Sequence, residues 1–382
     1  MIVVRSRAAT SSAIAAGLAV IALLTYGPAA TVAAVNASVA TRAAPAAVPP
    51  GTAIFSAISC KGTWCMAVGH YTDRSHTKHG LAETWNGTSW RRVANPPARN
   101  PLTVTCSAPW FCMVQGGPTG LIRWNGRAWR TMPRPPLGTQ LVSCGSRSLC
   151  MAINSRFHHG VVESWNGRTW KVWKNATDAC GGPPGSCGLV RVSCGSRSNC
   201  VAVGTETVSQ EPVQEAVGFA WNGKTWTYAD PPSDGNPAGA NDVSCAGTFC
   251  MSVGGGFSEV ANGGVAVAGA YSAMTGSWQD VSPHLGTICT GRLMFCYWDA
   301  ITCGSAKNCM ALGALAGLLY WNGATWTPAP AIADPALHLN PVACGGTFCM
   351  AVGSRTVGNV RHTLAELWDG ATWRIVPTPS PG

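Results

Sequence analysis

From residue 53 onward, short runs of apolar residues follow one another and are cut by glycine, proline or asparagine. In the first stretch AIFSAIS alternates as a strand, and CMAVG is short and apolar like a buried second strand. LAETW supplies a third strand. NGTS is a turn, because Asn-Gly provides the positive φ that tight hairpins need. WRRV makes a fourth strand, and ANPPARNP breaks the chain before the pattern starts again.

The pattern recurs seven times, each time around a local cysteine pair. The pairs are Cys60 and Cys65, Cys106 and Cys112, Cys144 and Cys150, Cys194 and Cys200, Cys245 and Cys250, Cys303 and Cys309, and Cys344 and Cys349. Six of the seven units then carry W-[N/D]-G-x-x-W, and the fifth keeps only MTGSW. The first cysteines run from 60 to 344 over six intervals, a mean period of about 47 residues. Four antiparallel strands per unit, at this period, predict an all-β, seven-bladed β-propeller of four-stranded antiparallel blades, stapled by disulfides. Radial closure also removes the open edges that so many short strands would leave.

The unit resembles a kelch-type propeller repeat, in which a glycine-ended second strand precedes an aromatic residue, a tight turn and a tryptophan. It also echoes the sialidase Asp-box, although NGTSW is one residue shorter and has Asn where that motif has Asp. It is most similar to the Cys-paired repeats of secreted bacterial propeller proteins with no assigned role. The resemblance covers about residues 53–378 and implies a fold; propellers host many unrelated activities.

The remaining four of the 18 cysteines form two further local pairs, Cys180 with Cys187 and Cys289 with Cys296. An even count and strict local pairing in an exported chain predict nine disulfides. Zinc needs closer spacing and a second ligand pair nearby, and a redox C-x-x-C motif is absent. No metal or cofactor is expected. Methionine follows the second cysteine in six units, with Val201 in the fourth, and reads as core packing. The paired tryptophans read as inter-blade packing. Glu83, Glu163 and Glu366 share a slot two residues before the third-strand tryptophan, and read as structural or as a solvated edge.

The N-terminus changes the picture of where the chain works. Arg5 and Arg7 precede an apolar stretch and then small residues, the layout of an export signal over 1–34, with an uncleaved membrane anchor as the alternative. Residues 35–52 form an Ala/Pro linker, and 53–378 form the propeller. Localisation is therefore expected to be secreted or extracellular, at the cell surface if the anchor persists. The chain carries net charge +10; Arg5, Arg7 and Arg42 supply three of it, and residues 1–50 hold no acid, which leaves +7 beyond. A mildly basic exterior suits anionic wall or polysaccharide partners. No run of basic residues calls for nucleic acid, and a monomer is expected.

In an up-and-down blade, the Cys hairpins and the Asn-Gly turns share one face, both short and regular. The second-to-third loops and the blade connectors share the other, where nearly all the variation lies, and variable loops on a rigid scaffold are where binding is built. His70, Asp73, His76, His79, His158, His159, Glu206, Glu211 and His362 form the candidate binding face. His76, His79 and His362 could converge on a metal if blades 1 and 7 are neighbours, though exposed loop histidines are the simpler reading. Further acids there are Glu215, Glu259, Asp178 and Asp299. A glycosidase needs two facing carboxylates, and a galactose-oxidase-like site needs convergent tyrosines and histidines. No catalytic residue can be assigned from a motif. The expected role is an extracellular binding module for a glycan, cell-wall polymer or protein. A carbohydrate-active propeller enzyme and a structural envelope protein are the alternatives.

Overall fold

The computed structural model describes residues 52–379 apart from 117–119, 137, 139–140, 155–160, 174–186, 209–212, 234–237, 259–262, 284–297, 314–316 and 335–340. The expected leader, and the expected linker up to residue 51, lie outside these residues. So do the side chains of two expected pairs, Cys180 with Cys187 and Cys289 with Cys296. Within the described residues the chain is all-β, with seven sheets of four strands, each in sequential order. Blade 1 consists of β1 (Ala53–Lys61), β2 (Trp64–Thr72), β3 (Lys78–Trp85) and β4 (Trp90–Arg92). Blades 2 to 7 run over Thr103–Thr131, Leu141–Trp173, Cys187–Tyr228, Ala238–Asp280, Trp298–Pro328 and Val342–Val376.

All four strands of every blade come from one contiguous stretch, so no blade is shared between the two ends of the chain. The first strands of successive blades touch one another around the ring, and β1 packs on blade 7. These first strands are innermost.

The seven described disulfides, one per blade, join cysteines directly opposite each other in the first hairpin, with Cα atoms 3.9–4.1 Å apart. Blades 1 to 4 link Cys60 to Cys65, Cys106 to Cys112, Cys144 to Cys150 and Cys194 to Cys200. Blades 5 to 7 link Cys245 to Cys250, Cys303 to Cys309 and Cys344 to Cys349. Each of these is the pair expected from the repeat. Pairs five residues apart close a regular hairpin, as Cys60 and Cys65 do. Where the separation is six, a bulge beside the pair absorbs the extra residue, as between Cys106 and Ala108.

The Trp-Asn-Gly signature has a local cause. In blade 1, Asn86 Oδ1 accepts hydrogen bonds from the Thr88 and Ser89 amides, each at 2.9 Å, and Gly87 takes φ 103°. Only the glycine needs the left-handed region. The Asn acts through its side-chain acceptor, so Asp369 serves equally in blade 7, holding the Ala371 and Thr372 amides. The flanking tryptophans pack together, with Trp85 and Trp90 centroids 5.9 Å apart. The fourth-strand tryptophan also reaches the preceding blade: Trp129 donates to the Ala94 carbonyl, Trp278 to Ala229 and Trp326 to Val281.

A second inter-blade device lies at the axis. The residue before the first cysteine carries a hydroxyl in six blades, and that oxygen accepts the amide of the next blade's cysteine. Ser59 holds Cys106, Thr105 holds Cys144, Ser143 holds Cys194, Ser193 holds Cys245, Ser244 holds Cys303 and Thr302 holds Cys344, at 2.8–3.1 Å. The seventh position is Ala343, which has no hydroxyl to offer Cys60. Neighbouring hairpins crowd closely at the axis: a Cβ on Gly304 of blade 6 would fall on the Gly345 carbonyl of blade 7.

The slot shared by Glu83, Glu163 and Glu366 corrects one of the two readings given above. All three are fully buried, so none lies on a solvated edge. Their strand neighbours on the same face, such as Leu364 and Trp368 for Glu366, pack against the preceding blade. Met66, Met113, Met151, Met251, Met310 and Met350 are buried as core, and so is Val201.

Candidate binding face

The height of the second-to-third hairpin differs from blade to blade. After its cysteine, β2 runs seven further residues, to Thr72. The corresponding strands run eight further in blades 4, 5 and 7, ending at Val208, Ser258 and Val357. In blades 2, 3 and 6 they end after three or four, at Gln115, Asn154 and Gly313. At ~3.3 Å per residue the long ladders stand about 13 Å higher. Ring order makes blades 7 and 1 one tall pair and blades 4 and 5 another, with shorter ladders between them on both sides.

The blade 1 hairpin is knit by Asp73. Its Oδ1 accepts the Ser75 amide, the Ser75 hydroxyl and the Thr77 amide, and its Oδ2 lies 2.7 Å from His79 Nε2. The Ser75 hydroxyl and the His79 contact, with those amides, hold its carboxyl well below the usual carboxylate range. The His79 ring stacks on Tyr71 at 5.1 Å, the Arg92 guanidinium lies 4.7 Å from the Tyr71 ring centre, and Asn95 donates to the Tyr71 hydroxyl. The patch is a mixed aromatic and cationic surface on a pinned turn. His76 sits exposed at its tip with φ 61°.

His70 does not join this patch. It lies in β2 opposite Ile54 and Gly80, half-buried, with Nδ1 unpartnered. Burial, with a smaller contribution from Lys78, pushes its imidazole down to about 4. His362 lies opposite Arg355 in the blade 7 ladder. Glu206 lies opposite Glu215 in blade 4 and accepts from the Tyr228 hydroxyl at 3.2 Å. Burial raises its carboxyl and that of Asp230 above the ordinary range. His158, His159, Glu211, Glu259 and Asp178 lie outside the described residues. Among the described residues no group of three His, Cys, Asp or Glu side chains could hold a metal ion.

The axis holds a cavity of about 540 Å³ lined by all seven first strands, including Ser59, Thr105, Ser193 and Thr302. No carboxylate lines it. The Lys61 amine reaches from blade 1 to donate to the Gly195 carbonyl of blade 4 at 3.1 Å, and burial lowers its pKa. Sequence reasoning did not single out Lys61, Tyr71 or Arg92 for these contacts. Only the register of the ladders brings them to their partners.

No protein-family model matches the chain, and no curated protein does either. Solved structures do. The β-propeller domain of the Trilobed protease from Pyrococcus furiosus, described as having an open velcro topology, superposes with TM-score 0.55 at 10% identity, over 87% of this chain and 100% of that one. Pyrococcus horikoshii acylaminoacyl peptidase gives TM-score 0.53 at 10% identity, over 85% of this chain and 52% of that one. YCF48 from Cyanidioschyzon merolae gives 0.47 at 16% identity, over 80% and 94%. Likeness at this level of identity concerns the fold alone.

Proposed function

We propose that this chain is an exported, kelch-like propeller that works outside the cell as a binding module. Its ligand is an extracellular glycan, a cell-wall polymer or a protein, and it binds on the face of the tall hairpins. The observation that carries this reading is the uneven height of the blades. Uniform repeats suffice to close a ring, whereas two tall pairs over short neighbours build walls for a ligand. Seven bridged hairpins and no free described cysteine support an oxidising compartment. The Tyr71, His79 and Arg92 patch offers the stacking and cationic contacts that sugars and acidic polymers use.

The test is a glycan array and a wall-polymer pull-down with the whole exported protein. A variant that shortens Arg74–Thr77 is compared with one that alters the Thr88–Ser89 turn on the opposite face. Binding should fall at least tenfold in the first and stay unchanged in the second. Equal loss in both, or no reproducible ligand for the wild type, contradicts the reading.

A further inference from the structure

The short turns at the Cys-hairpin end of the ring carry a charge pattern that the fold does not need. In every blade the second cysteine faces an aromatic residue of the third strand, which in turn faces a tryptophan of the fourth. In blade 3 these are Cys150, Trp165 and Trp170. Both turns of a blade therefore start from one level and extend only a few residues beyond it. The hydroxyl rungs tie the cysteines of neighbouring blades to a common height. This end is nearly flat, whereas the opposite end is stepped.

Blades 2 to 4 load the flat end with cations. Arg127 sits in the Asn-Gly turn of blade 2, Arg147 and Arg168 in the two turns of blade 3, and Arg197 and Lys224 in those of blade 4. All five are exposed. Their turns adjoin: Gly167 lies against Ser148, Gly223 lies against Ser198, and a Cβ on Gly145 would fall on the Ser196 carbonyl of the next blade. Among the described residues no carboxylate pairs with any of the five. The one acid in these turns is Asp369 of blade 7, and the Ala371 and Thr372 amides occupy its carboxylate. Exposed acids such as Glu215, Asp230 and Asp280 stand at the opposite end.

An apolar group projects from the same surface. Trp110, at the tip of the blade 2 Cys hairpin, is 62% exposed and lies against Gly126, the neighbour of Arg127. No other tryptophan among the described residues is so exposed. Counted from the first cysteine, blades 3, 4 and 6 hold Ser148, Ser198 and Lys307 at this position, so the repeat requires no aromatic there. A polymer chain held in a groove needs walls, and these short turns build none. A bilayer offers a plane of phosphates for the cations and an interfacial layer that tryptophan favours.

We propose that this flat face docks peripherally on an anionic lipid bilayer. Arg127, Arg147, Arg168, Arg197 and Lys224 lie over the lipid phosphates, and Trp110 enters the headgroup layer. The stepped face then points away from the bilayer. Docking and the ligand proposed above use opposite faces, so either can fail alone.

Vesicle flotation with the full exported chain tests this. The wild type should bind vesicles of equal parts phosphatidylglycerol and phosphatidylcholine at least about tenfold more tightly than phosphatidylcholine alone, and high salt should release it. Arg147→Glu combined with Arg197→Glu should weaken that binding by about tenfold or more, with an unchanged thermal midpoint. Arg99→Glu combined with Arg361→Glu makes the same change of net charge at the opposite end and should bind as wild type does. Brominated lipid in the vesicles should quench tryptophan emission, and Trp110→Ser should lose that quenching. Equal loss in the two double variants, equal binding to phosphatidylcholine alone, or quenching that survives in Trp110→Ser overturns the proposal. So does binding to dextran sulfate without binding to vesicles, which marks a site for a soluble polyanion.

Discussion

At six of the seven blade interfaces a covalent connector crosses and a hydroxyl from one blade holds the cysteine amide of the next. Between blades 7 and 1 there is no connector, and Ala343 stands where the hydroxyl would be. That seam keeps the apolar packing found between the other blades: Phe55, Trp85 and Trp90 of blade 1 meet Phe348, Leu367 and Val376 of blade 7. Phe55 stacks on Trp90 at 6.0 Å. One backbone bond, from the Gly346 amide to the Gly62 carbonyl at 2.8 Å, spans the inner rim. The difference teaches that the seam rests on packing of the kind the other interfaces also have, without the connector and the hydroxyl rung that those six add.

The largest expected effect follows directly. Phe55→Ala should cost about 3–5 kcal/mol, the range for deleting a large buried aromatic side chain, read as a drop in thermal midpoint. Phe219→Ala, in the cluster between blades 3 and 4, should cost a similar amount. Only the seam variant should also expose blades 1 and 7 to protease, because the other pair stays tethered. Next comes Glu366→Met. It strands the Ala333 and Asp334 amides, which donate to the two Glu366 oxygens at 2.7 Å each, and should cost about 2–3 kcal/mol, the penalty for leaving buried donors unsatisfied.

A gentler pair of substitutions breaks the comparison from both sides. Ser193→Ala removes one rung of the hydroxyl ring and should lose about 1 kcal/mol. Ala343→Ser offers Cys60 the missing acceptor and should raise stability by up to about 1 kcal/mol, provided the seam already sits in the register of the other six. A loss in Ala343→Ser would show that the seam's geometry differs from theirs.

Much of this was legible in the repeat. Seven cysteine pairs and the Trp-Asn-Gly turn dictate blade number, strand order and disulfide pairing, because each blade repeats one local solution. The same repetition puts the second-to-third turns of all blades at the opposite end of the strands from the Cys hairpins. The strand lengths were not legible. CMAVG reads as a whole strand, yet β2 continues through His70, Tyr71 and Thr72. Once a hairpin rises beyond its neighbours, solvent meets both faces and the apolar signal ends while the backbone ladder goes on. Asp73 looked available for a ligand, but its acceptors are occupied within its own turn. The shared glutamate slot looks alike in three blades; among the described residues, the Ala333 and Asp334 amides donate to Glu366 and nothing donates to Glu83, which no local pattern records.

The smallest effect concerns pH and lies off the seam. His70 is on the face of β2 opposite to Tyr71, and its folded value near 4 is below the ordinary 6.5. Between those values the unfolded chain binds the proton more readily, so stability should fall as pH drops from about 6.5 to 4. His70→Asn should flatten that slope in melts across the window, without changing the slope contributed by seam groups.

Native-state hydrogen exchange followed by peptide tests the central contrast most directly. The account predicts that segments 53–61 and 342–352 share a sub-global opening of lower free energy than segments 141–153 and 189–203. Exchange of all seven blades in one global step, or earlier opening between blades 3 and 4, would contradict a ring whose weakest joint is its uncrossed seam.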